Sequence, residues 1–217
     1  MRIKGAIFDL DGVIVNTVPL HFRAWEKMFN AYGHKFEMED YLAEVDGRPR
    51  LEGAAAILTE LSPDEIKKAG DKKQEFYLEL LNRDPIEIFG SSVDLLKEMK
   101  KKNIKLAAAS SSKNAVLILK KINLFNMFEA NVSGSDFKKG KPDPEIFLTA
   151  ASKIGLTPKE CVVLEDAKSG VQAAVNGGFY CIGINRHDDF EALKGANVIV
   201  NDLSEISLGE ILKLGEV

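Results

Sequence analysis

The sequence predicts an α/β protein, with a doubly wound, Rossmann-like parallel sheet and an all-helical segment inserted after the first strand. From residue 85 onward, short apolar runs alternate with amphipathic stretches, which is typical of a parallel sheet covered by helices. Residues 17–84 show helical periodicity and no convincing strand. We therefore expect a core domain of residues 1–16 and 85–217 and a helical domain of residues 17–84, which 217 residues can accommodate.

Six strands are expected in the core, the first of them near the N-terminus. Residues 3–10 form a short apolar run that ends in acidic residues and then Gly12, as expected for a buried strand that opens into a turn. The other strand candidates are 104–109, 130–133, 161–165, 179–184 and 197–200, and 130–133 has the weakest pattern.

Helices are predicted between these strands and throughout the inserted segment. In the core they cover 91–102, 113–122, 144–154, 168–176 and 205–213, and residues 157–160 have the capping chemistry of a single helical turn. In the insert, Phe22, Trp25, Phe29 and Tyr32 recur at the spacing of one helical face. Further insert helices are predicted over 51–61, from the capping sequence at 62–65, and over 71–82.

Composition and charge exclude several classes of protein. The net charge is -4 and the sequence pI is about 5.5, so no basic field attracts nucleic acid. No stretch reaches the ~20 apolar residues of a membrane span, and there is no signal-peptide pattern. Cys161 and Cys181 lie in apolar runs and suggest neither a disulfide framework nor a zinc site. We expect a cytoplasmic monomer that binds neither nucleic acid nor membranes.

Polar residues stand where the predicted strands end, which is where a doubly wound sheet binds its ligands. Asp9 and Asp11 end the first strand and converge if the chain bends at Gly12. Ser110 follows the second strand, and Lys141 lies in a loop between two prolines. Glu165 and Asp166 end a further strand. Each element alone has an ordinary turn, loop or helix-cap interpretation, but their order at successive strand ends indicates one site.

This set of side chains predicts phosphoryl transfer. Oxygen ligands without His or Cys suit Mg²⁺ rather than zinc. A metal together with Lys141, Ser110 and backbone N–H groups would bind a phosphate that carboxylates alone would repel. Phosphoryl transfer requires this charge neutralisation and a positioned nucleophile, and a carboxylate can serve by forming an acyl phosphate.

Four motifs are spread across the whole chain: DLDGVIVNT (residues 9–17), Ser110, Lys141 with Pro142, and LEDAKSGVQAA (residues 164–174). Together they resemble the motifs of the haloacid dehalogenase superfamily of phosphotransferases. The resemblance implies that Asp9 attacks phosphorus and that Asp11 is the general acid/base. It also implies a Mg²⁺ site made by Asp9, the backbone carbonyl of Asp11, Asp166 and Glu165. Ser110, Ser111 and Lys141 would bind the transferring phosphoryl group, and the helical insert would be the family's mobile cap, with Thr17 at the hinge.

Within this superfamily the sequence is most similar to the β-phosphoglucomutase subfamily. The segment HFRAW (residues 21–25) repeats a signature of its first cap helix. The substrate-binding positions that this resemblance implies are His21, Trp25, Gly47, Arg50, Lys73, Ser112, Lys113 and Asn114. Three of these have competing interpretations. His21 also suits a satisfied polar residue at the edge of the cap, and an aromatic residue at helical spacing such as Trp25 also suits a core. The run 72–74 around Lys73 resembles a solvated helix face.

Three functions stay open at the level of the sequence. The first is a mutase that interconverts β-glucose 1-phosphate and glucose 6-phosphate through an aspartyl-phosphate and a bisphosphate. The second is a phosphatase that acts on a small phosphosugar with the same nucleophile and metal site. The third is a non-enzymatic sugar-phosphate sensor, which has no need of both Asp9 and Asp11. The loop of residues 45–50 departs from the subfamily pattern through Arg48 and Pro49, and Asn16 replaces an acidic residue. The loop departure bears on which sugar is bound.

Overall fold

The protein is described from a computed structural model, which covers residues 2–46, 48–186 and 188–216. The chain forms two compact units. One consists of the described parts of Met1–Asn16 and Glu87–Val217, and the other of the described parts of Thr17–Ile86.

A parallel sheet forms the centre of the larger unit. Its strands are β1 (Gly5–Phe8), β4 (Lys105–Ala109), β5 (Ala130–Val132), β6 (Cys161–Glu165), β7 (Tyr180–Ile184) and β8 (Val198–Val200). The spatial order is β5-β4-β1-β6-β7-β8, and each neighbouring pair is parallel. The chain leaves β1 in one direction to β4 and β5 and then crosses to β6, so the topological switch point lies between β1 and β6.

Helices follow the strands of this sheet, as a doubly wound fold requires. They are α5 (Gly90–Lys101), α6 (Ala115–Lys121), α7 (Glu145–Lys153), α8 (Lys168–Asn176) and α9 (Leu208–Lys213). Apolar side chains of the sheet and its helices, such as Ile7, Phe147 and Val163, form a buried core. The predicted fold class is confirmed, with shifts at some helix ends. Helix α9 begins at Leu208 and not near 205, because Ser207 and Glu210 form a capping box.

A second, two-stranded antiparallel sheet was not predicted. Strand β2 (Val15–Asn16) pairs with β3 (Glu87–Ile88), at the two places where the chain passes between the units in sequence. The side chain of Asn16 donates a hydrogen bond to Glu87 at 2.8 Å. Strands of two residues are too short to show an alternating pattern, so the sequence gives no signal for them.

The smaller unit is helical, as predicted. It contains α1 (Val18–Ala31), α2 (Met38–Asp40), a π-helical turn (Tyr41–Val45), α3 (Arg50–Ile57) and α4 (Pro63–Arg83). Its core includes the buried side chains of Trp25 and Phe29, with Phe22 and Tyr32 packed against them. The aromatic face predicted for the first insert helix therefore faces the interior of this unit.

The two helices predicted from 62–65 and over 71–82 are one helix, α4, which begins with the predicted capping box at Ser62. Gly70 lies inside α4, and a Cβ atom there would come within 2.9 Å of Leu51 of α3. The glycine thus permits a close approach of two helices and does not end one of them. Helix α3 itself stops at Ile57, short of the predicted 61. Among the described residues, no helix has both the length and the hydrophobicity that a membrane span requires.

Candidate active site

The carboxylate of Asp9 lies directly after β1, in the middle of the sheet. Its backbone N–H donates to Leu164 of β6 at 3.0 Å, so the sheet hydrogen bonding extends to this residue. The chain then turns: Gly12 has a φ of +78°, and its N–H donates to Val15 at 2.8 Å. This left-handed conformation favours glycine and makes the bend that the sequence required. Asp11 reaches the Ser110 hydroxyl group, which lies 3.4 Å from its Oδ2 atom.

Lys141 connects the strand ends electrostatically. Its Nζ atom lies 2.6 Å from Oδ1 of Asp9 and 2.7 Å from Oε2 of Glu165. Both carboxylates are buried, Glu165 being 1% exposed. The peptide bond between Lys141 and Pro142 is cis. The structure therefore brings Asp9 together with two side chains that lie more than a hundred residues later in the sequence.

The pKa values in this cluster reflect burial first and charge second. Burial raises the pKa of Asp9 well above its ordinary value, Lys141 opposes this change, and the neighbouring carboxylates add to it. Burial also raises the pKa of Glu165, again against the effect of Lys141. For Lys141 itself burial would lower the pKa, but the charges of Asp9 and Glu165 raise it above its ordinary value. Lys141 is therefore protonated, and it neutralises one of several close carboxylates.

Three carboxylates are placed to hold a metal ion. Oxygen atoms of Asp9, Glu165 and Asp166 all lie within 4.8 Å of one another. Buried carboxylates in this number repel one another, and a cation would lower their energy. Their oxygen-only donor set fits a hard divalent cation. The side chain of Asp11 is outside this group of three, and its predicted contribution is through its backbone carbonyl.

Two glycines allow the loops around the carboxylates to pack closely. A Cβ atom at Gly12 would lie 1.9 Å from Oδ2 of Asp166, so the turn after β1 is in contact with the loop after β6. A Cβ atom at Gly170 of α8 would lie 2.0 Å from the carboxyl carbon of Glu165. Both carboxylates therefore rest against a backbone that has no side chain. The sequence reasoning did not identify Gly170, although its spacing from Glu165 within the quoted motif was visible.

The hydroxyl-rich loop after β4 is shaped by its own side chains. The Ser110 Oγ atom accepts a hydrogen bond from the N–H of Ser112 at 3.0 Å, and the Ser112 Oγ atom accepts one from Asn114 at 3.1 Å. Ser110 is 2% exposed, whereas Ser111 and Lys113 are exposed. The loop therefore has one buried hydroxyl next to Asp11, followed by accessible groups before α6.

In the helical unit, the structure brings His21 and Lys73 together. The Lys73 Nζ atom lies 2.8 Å from Nδ1 of His21 and 4.9 Å from the centre of the Trp25 ring. Lys73 is 4% exposed, and burial followed by the charge of Arg50 lowers its pKa to about 7. Burial and the charge of Lys73 lower the pKa of His21 well below its ordinary value. His21 is therefore neutral, and its Nδ1 atom accepts a hydrogen bond from Lys73.

The remaining predicted residues of this unit are in separate places. Arg50 begins α3 and lies 3.1 Å from Asp71 of α4. Trp25 is 4% exposed and stacks on Phe29, so it contributes to the core and borders Lys73 as well. Thr17 is buried and immediately precedes α1. Gly47 lies outside the described residues.

Arg186 is a site-adjacent residue that the sequence reasoning missed. It follows β7, and its Nε atom donates to the carbonyl of Gly12 at 2.9 Å. Arg186 stands two residues after the end of β7, and a polar residue at a strand end is the sequence signal that points to it.

Comparison with known proteins agrees with this combination of fold and carboxylate cluster. Residues 3–178 match the model of the haloacid dehalogenase-like hydrolases. The chain belongs to this family, whose members include phosphotransferases and hydrolases. Within it, the chain lies near the β-phosphoglucomutases: it is 34% identical to a β-phosphoglucomutase of Bacillus subtilis over 215 residues, which cover 95% of this chain and 92% of the relative.

Two further relatives indicate the range of activities near this sequence. A phosphorylated carbohydrates phosphatase of Thermotoga maritima is 34% identical over 183 residues, which cover 81% of this chain and 82% of the relative. The crystal structure of a β-phosphoglucomutase from Clostridium difficile superimposes with a TM-score of 0.85 at 28% identity, covering 99% of this chain and 97% of that one. The relatives thus include both a mutase and a phosphatase.

Proposed function

We propose that the protein is a magnesium-dependent phosphosugar mutase of the β-phosphoglucomutase type, which interconverts β-glucose 1-phosphate and glucose 6-phosphate. The phosphoryl group passes through an aspartyl-phosphate at Asp9 and a glucose bisphosphate intermediate. The observation that carries the proposal is the buried arrangement of Asp9, Lys141 and Glu165 beside Asp166. The nearby β-phosphoglucomutases in the family support the choice of substrate.

Asp9 is the proposed nucleophile. Its Oδ atom forms a bond to phosphorus while the bond from phosphorus to the sugar oxygen breaks, and Asp11 supplies the proton that the leaving oxygen takes up. In the second half of the reaction Asp11 removes a proton from the other sugar hydroxyl, which then takes the phosphoryl group from Asp9. The turn at Gly12 places both carboxylates on the same edge of the sheet.

Mg²⁺ would be held by Asp9, Asp166, the backbone carbonyl of Asp11 and, less directly, Glu165. When bound, it would offset the negative charge of the phosphoryl oxygens next to these carboxylates. Lys141 holds Asp9 and Glu165 in place and supplies a protonated amine at the same edge. The Ser110 hydroxyl and the exposed groups of Ser111 are proposed to hydrogen-bond the transferring phosphoryl group.

The second phosphate of the bisphosphate needs cationic partners other than Lys141. In the helical unit, Lys73 is buried near Arg50 and their charges repel, which raises the free energy of the folded protein. An anion at these residues would offset that repulsion. Arg50, Lys73 and the neutral His21 are therefore proposed to bind the substrate, with Trp25 supporting Lys73. Gly47 stays a proposed substrate-binding residue from the sequence.

Four other residues predicted from the sequence, Ser112, Lys113, Asn114 and Thr17, also have proposed roles. Ser112, Lys113 and Asn114 follow Ser110 and are proposed to contact the phosphate that is not transferred. Thr17 is proposed as the hinge, because it is the first residue of the helical unit. Cytoplasmic location and a monomeric state stay predictions from the sequence.

A phosphatase acting on a small phosphosugar is the alternative, and the Thermotoga maritima relative specifically favours it. The two functions share the nucleophile, the acid/base and the metal site. They differ in what attacks the aspartyl-phosphate: a sugar hydroxyl in the mutase and water in the phosphatase. A mutase therefore has to exclude water while the intermediate turns around.

Phosphorus NMR distinguishes the two functions. The protein is incubated with Mg²⁺, β-glucose 1-phosphate and a trace of β-glucose 1,6-bisphosphate, with Asp9→Asn as the matched inactive control. Glucose 6-phosphate without comparable inorganic phosphate is the expected result. Inorganic phosphate as the main product would replace the mutase by the phosphatase, and turnover by the Asp9→Asn variant would overturn both.

A further inference from the structure

Arg186 occupies a position that the proposed reaction does not yet use. It lies in the loop after β7, with its side chain 16% exposed. Its guanidinium group is held by groups from two parts of the core unit, Phe89 and the adjacent residues Asn201 and Asp202. It stacks on the ring of Phe89 at 3.8 Å, its Nη1 atom lies 3.3 Å from the carbonyl of Asn201, and the same atom lies 3.5 Å from Oδ2 of Asp202.

Asp202 is a well-defined partner for this arginine. It accepts hydrogen bonds from the hydroxyl groups of Ser91 at 2.8 Å and Ser204 at 2.7 Å. Burial would raise the pKa of Asp202, but the hydrogen bonds from Ser204 and Ser91 and the charge of Arg186 lower it to about 2. Asp202 is therefore ionised, and Arg186 has a fixed position and not a range of surface conformations.

Arg186 binds the backbone of the turn that follows β1 and Asp11. Its Nε atom donates to the carbonyl of Gly12 at 2.9 Å, and the next carbonyl, that of Val13, accepts a hydrogen bond from the buried hydroxyl of Ser92. Two consecutive carbonyls of the turn are thus bound by side chains from distant parts of the sequence. Without Arg186, the Gly12 carbonyl would lose a charge-assisted hydrogen bond.

The position of Gly12 determines that of the proposed acid/base. Gly12 follows Asp11 directly, and its Cα approaches the carboxylate of Asp166 so closely that a Cβ atom would lie 1.9 Å from Oδ2. A shift of the turn therefore moves Asp11 relative to the residues of the metal cluster. Displacements of about 1 Å in such groups can lower reaction rates by roughly 100-fold.

We propose that Arg186 is a positioning residue, which holds Asp11 in place for proton transfer through the carbonyl of Gly12. This inference rests on the proposed function, because it assigns to Asp11 the role of general acid/base. It predicts that Arg186 matters most when the leaving group needs a proton.

Transfer rates with two phosphoryl donors distinguish the positioning of Asp11 from a general effect of Arg186 on structure, because only one of the donors needs a proton on its leaving group. When the donor is β-glucose 1-phosphate, the sugar oxygen leaves as a hydroxyl group with the proton of Asp11. When the donor is acetyl phosphate, acetate leaves as a stable carboxylate and takes up no proton. Both donors transfer the phosphoryl group to Asp9, and single-turnover release of glucose or acetate measures each transfer.

The expected result for Arg186→Met is a loss of about 10- to 100-fold with the sugar phosphate, with KM much less affected. The rate with acetyl phosphate is expected to fall less than about threefold, because general acid help is not needed there. Arg186→Lys should restore little, because an ammonium group lacks the planar donor and the stacking surface. Arg83→Met, at an arginine 68% exposed in α4, is the control and should leave both rates unchanged.

A readout that does not depend on turnover is amide hydrogen exchange of the metal-free protein. Peptides covering residues 10–16 should exchange faster in Arg186→Met than in the original protein, while peptides covering 18–31 should not change. If Arg186→Met does not fold, Phe89→Leu removes the stacking surface but leaves the donor, and a smaller loss confined to the sugar phosphate is expected.

Equal losses with the two donors, or no loss with either, would overturn the positioning role while leaving the proposed function intact. Unchanged exchange in residues 10–16 would overturn it as well. If the original protein accepts a phosphoryl group from neither donor, the proposed function itself fails, and this inference fails with it.

Discussion

At the scale of single residues, burial and charge together govern the candidate active site. Burial raises the pKa of Asp9, Lys141 lowers it, and Glu165, Asp11 and Asp166 each raise it further. Four carboxylates and one ammonium group leave a formal excess of three negative charges when all are ionised. Such an arrangement raises the free energy of the empty protein and lowers that of a complex with cations. Phosphoryl transfer needs both a nucleophile and charge compensation, so the higher free energy of the folded protein has a functional explanation.

The proposed roles of the two aspartates at the first strand end predict different consequences of substitution. Asp9→Asn should abolish turnover, because an amide does not form the acyl phosphate. Asp11→Asn should slow transfer by about 10²- to 10⁴-fold, the usual contribution of general acid/base help. Turnover of β-glucose 1-phosphate measures both, and thermal unfolding establishes that the variants fold. An Asp9→Asn variant that retains full activity would contradict the aspartyl-phosphate mechanism.

The lowered pKa of Lys73 predicts that the stability of the protein depends on pH. Its pKa is about 7 in the folded protein and near its ordinary value of 10.5 in the unfolded chain. Between these two values the unfolded chain binds the extra proton, so the free energy of unfolding rises with pH across this window, by up to about 1.4 kcal/mol per pH unit. Below about pH 7 both states are protonated and the contribution of Lys73 is constant.

Denaturant unfolding from pH 6 to pH 10 tests this expectation by comparing the original protein with Lys73→Met. The variant should lack this rise, while other titrating groups affect both proteins equally. Lys72→Met, at the exposed neighbouring position, is the matched control and should retain the rise. Parallel curves for the original protein and Lys73→Met would contradict the lowered pKa.

Much of the site could be predicted at this scale, because a parallel sheet brings its strand ends to one edge. Asp9, Ser110 and Glu165 were found in that way, and Lys141 was expected at the same site from its loop between two prolines. Its contacts with two of the carboxylates are an observation of the structure. The burial of Lys73 could not be found, because its neighbours at 72 and 74 are polar and the run has the pattern of a solvated face. Arg186 also stands just after a strand, but its partner is a backbone carbonyl and no sequence motif encodes that contact.

At the scale of elements, glycines determine how closely a helix or turn approaches a strand end. Gly170 belongs to the first turn of α8, where alanine would ordinarily favour the helix. Its Cα is nevertheless in contact with the carboxylate of Glu165, which Lys141 holds from the other side. The space needed by the carboxylate therefore overrides helix propensity at this position.

Gly170→Ala is expected to destabilise the protein by roughly 1–3 kcal/mol, because the new Cβ atom has to displace Glu165 or the helix. Gly90→Ala is the matched control, since a Cβ atom at the first residue of α5 meets nothing within 4 Å. That substitution should be neutral or stabilising by up to about 1 kcal/mol. Thermal unfolding compares the stabilities of the two variants, and equal stabilities would refute the close contact at Gly170.

The elements themselves were predicted well where a long pattern existed and poorly where it did not. The six strands of the parallel sheet and the helices between them follow from runs of four to twelve residues. The paired strands β2 and β3, with two residues each, have no such pattern. The division of α4 into two helices was wrong, since the chain stays helical through Gly70, where the missing side chain permits contact with α3.

At the scale of the whole molecule, the sheet order explains why one edge collects the reactive groups. Strand β1 lies between β4 and β6, so the side chains after these three strands are neighbours. The switch point between β1 and β6 separates the loops that carry Asp9 and Asp166. In doubly wound folds this is where ligands bind, and here the oxygen atoms of both residues lie within 4.8 Å of each other.

Mg²⁺ should therefore stabilise the folded protein as a whole. The unfolded chain does not assemble the three carboxylates, so binding favours the folded state by about 2.7 kcal/mol at a free Mg²⁺ concentration of 100 times Kd. Thermal unfolding with and without Mg²⁺ should show a higher Tm in its presence, and a chelator should reverse the change. Asp166→Asn should abolish most of the shift by removing one ligand charge, whereas Asp94→Asn, at a carboxylate 80% exposed in α5, should retain it. A Tm that does not respond to Mg²⁺, or a response that Asp166→Asn leaves intact, would mean that the buried negative charge is compensated by protons and not by a metal ion.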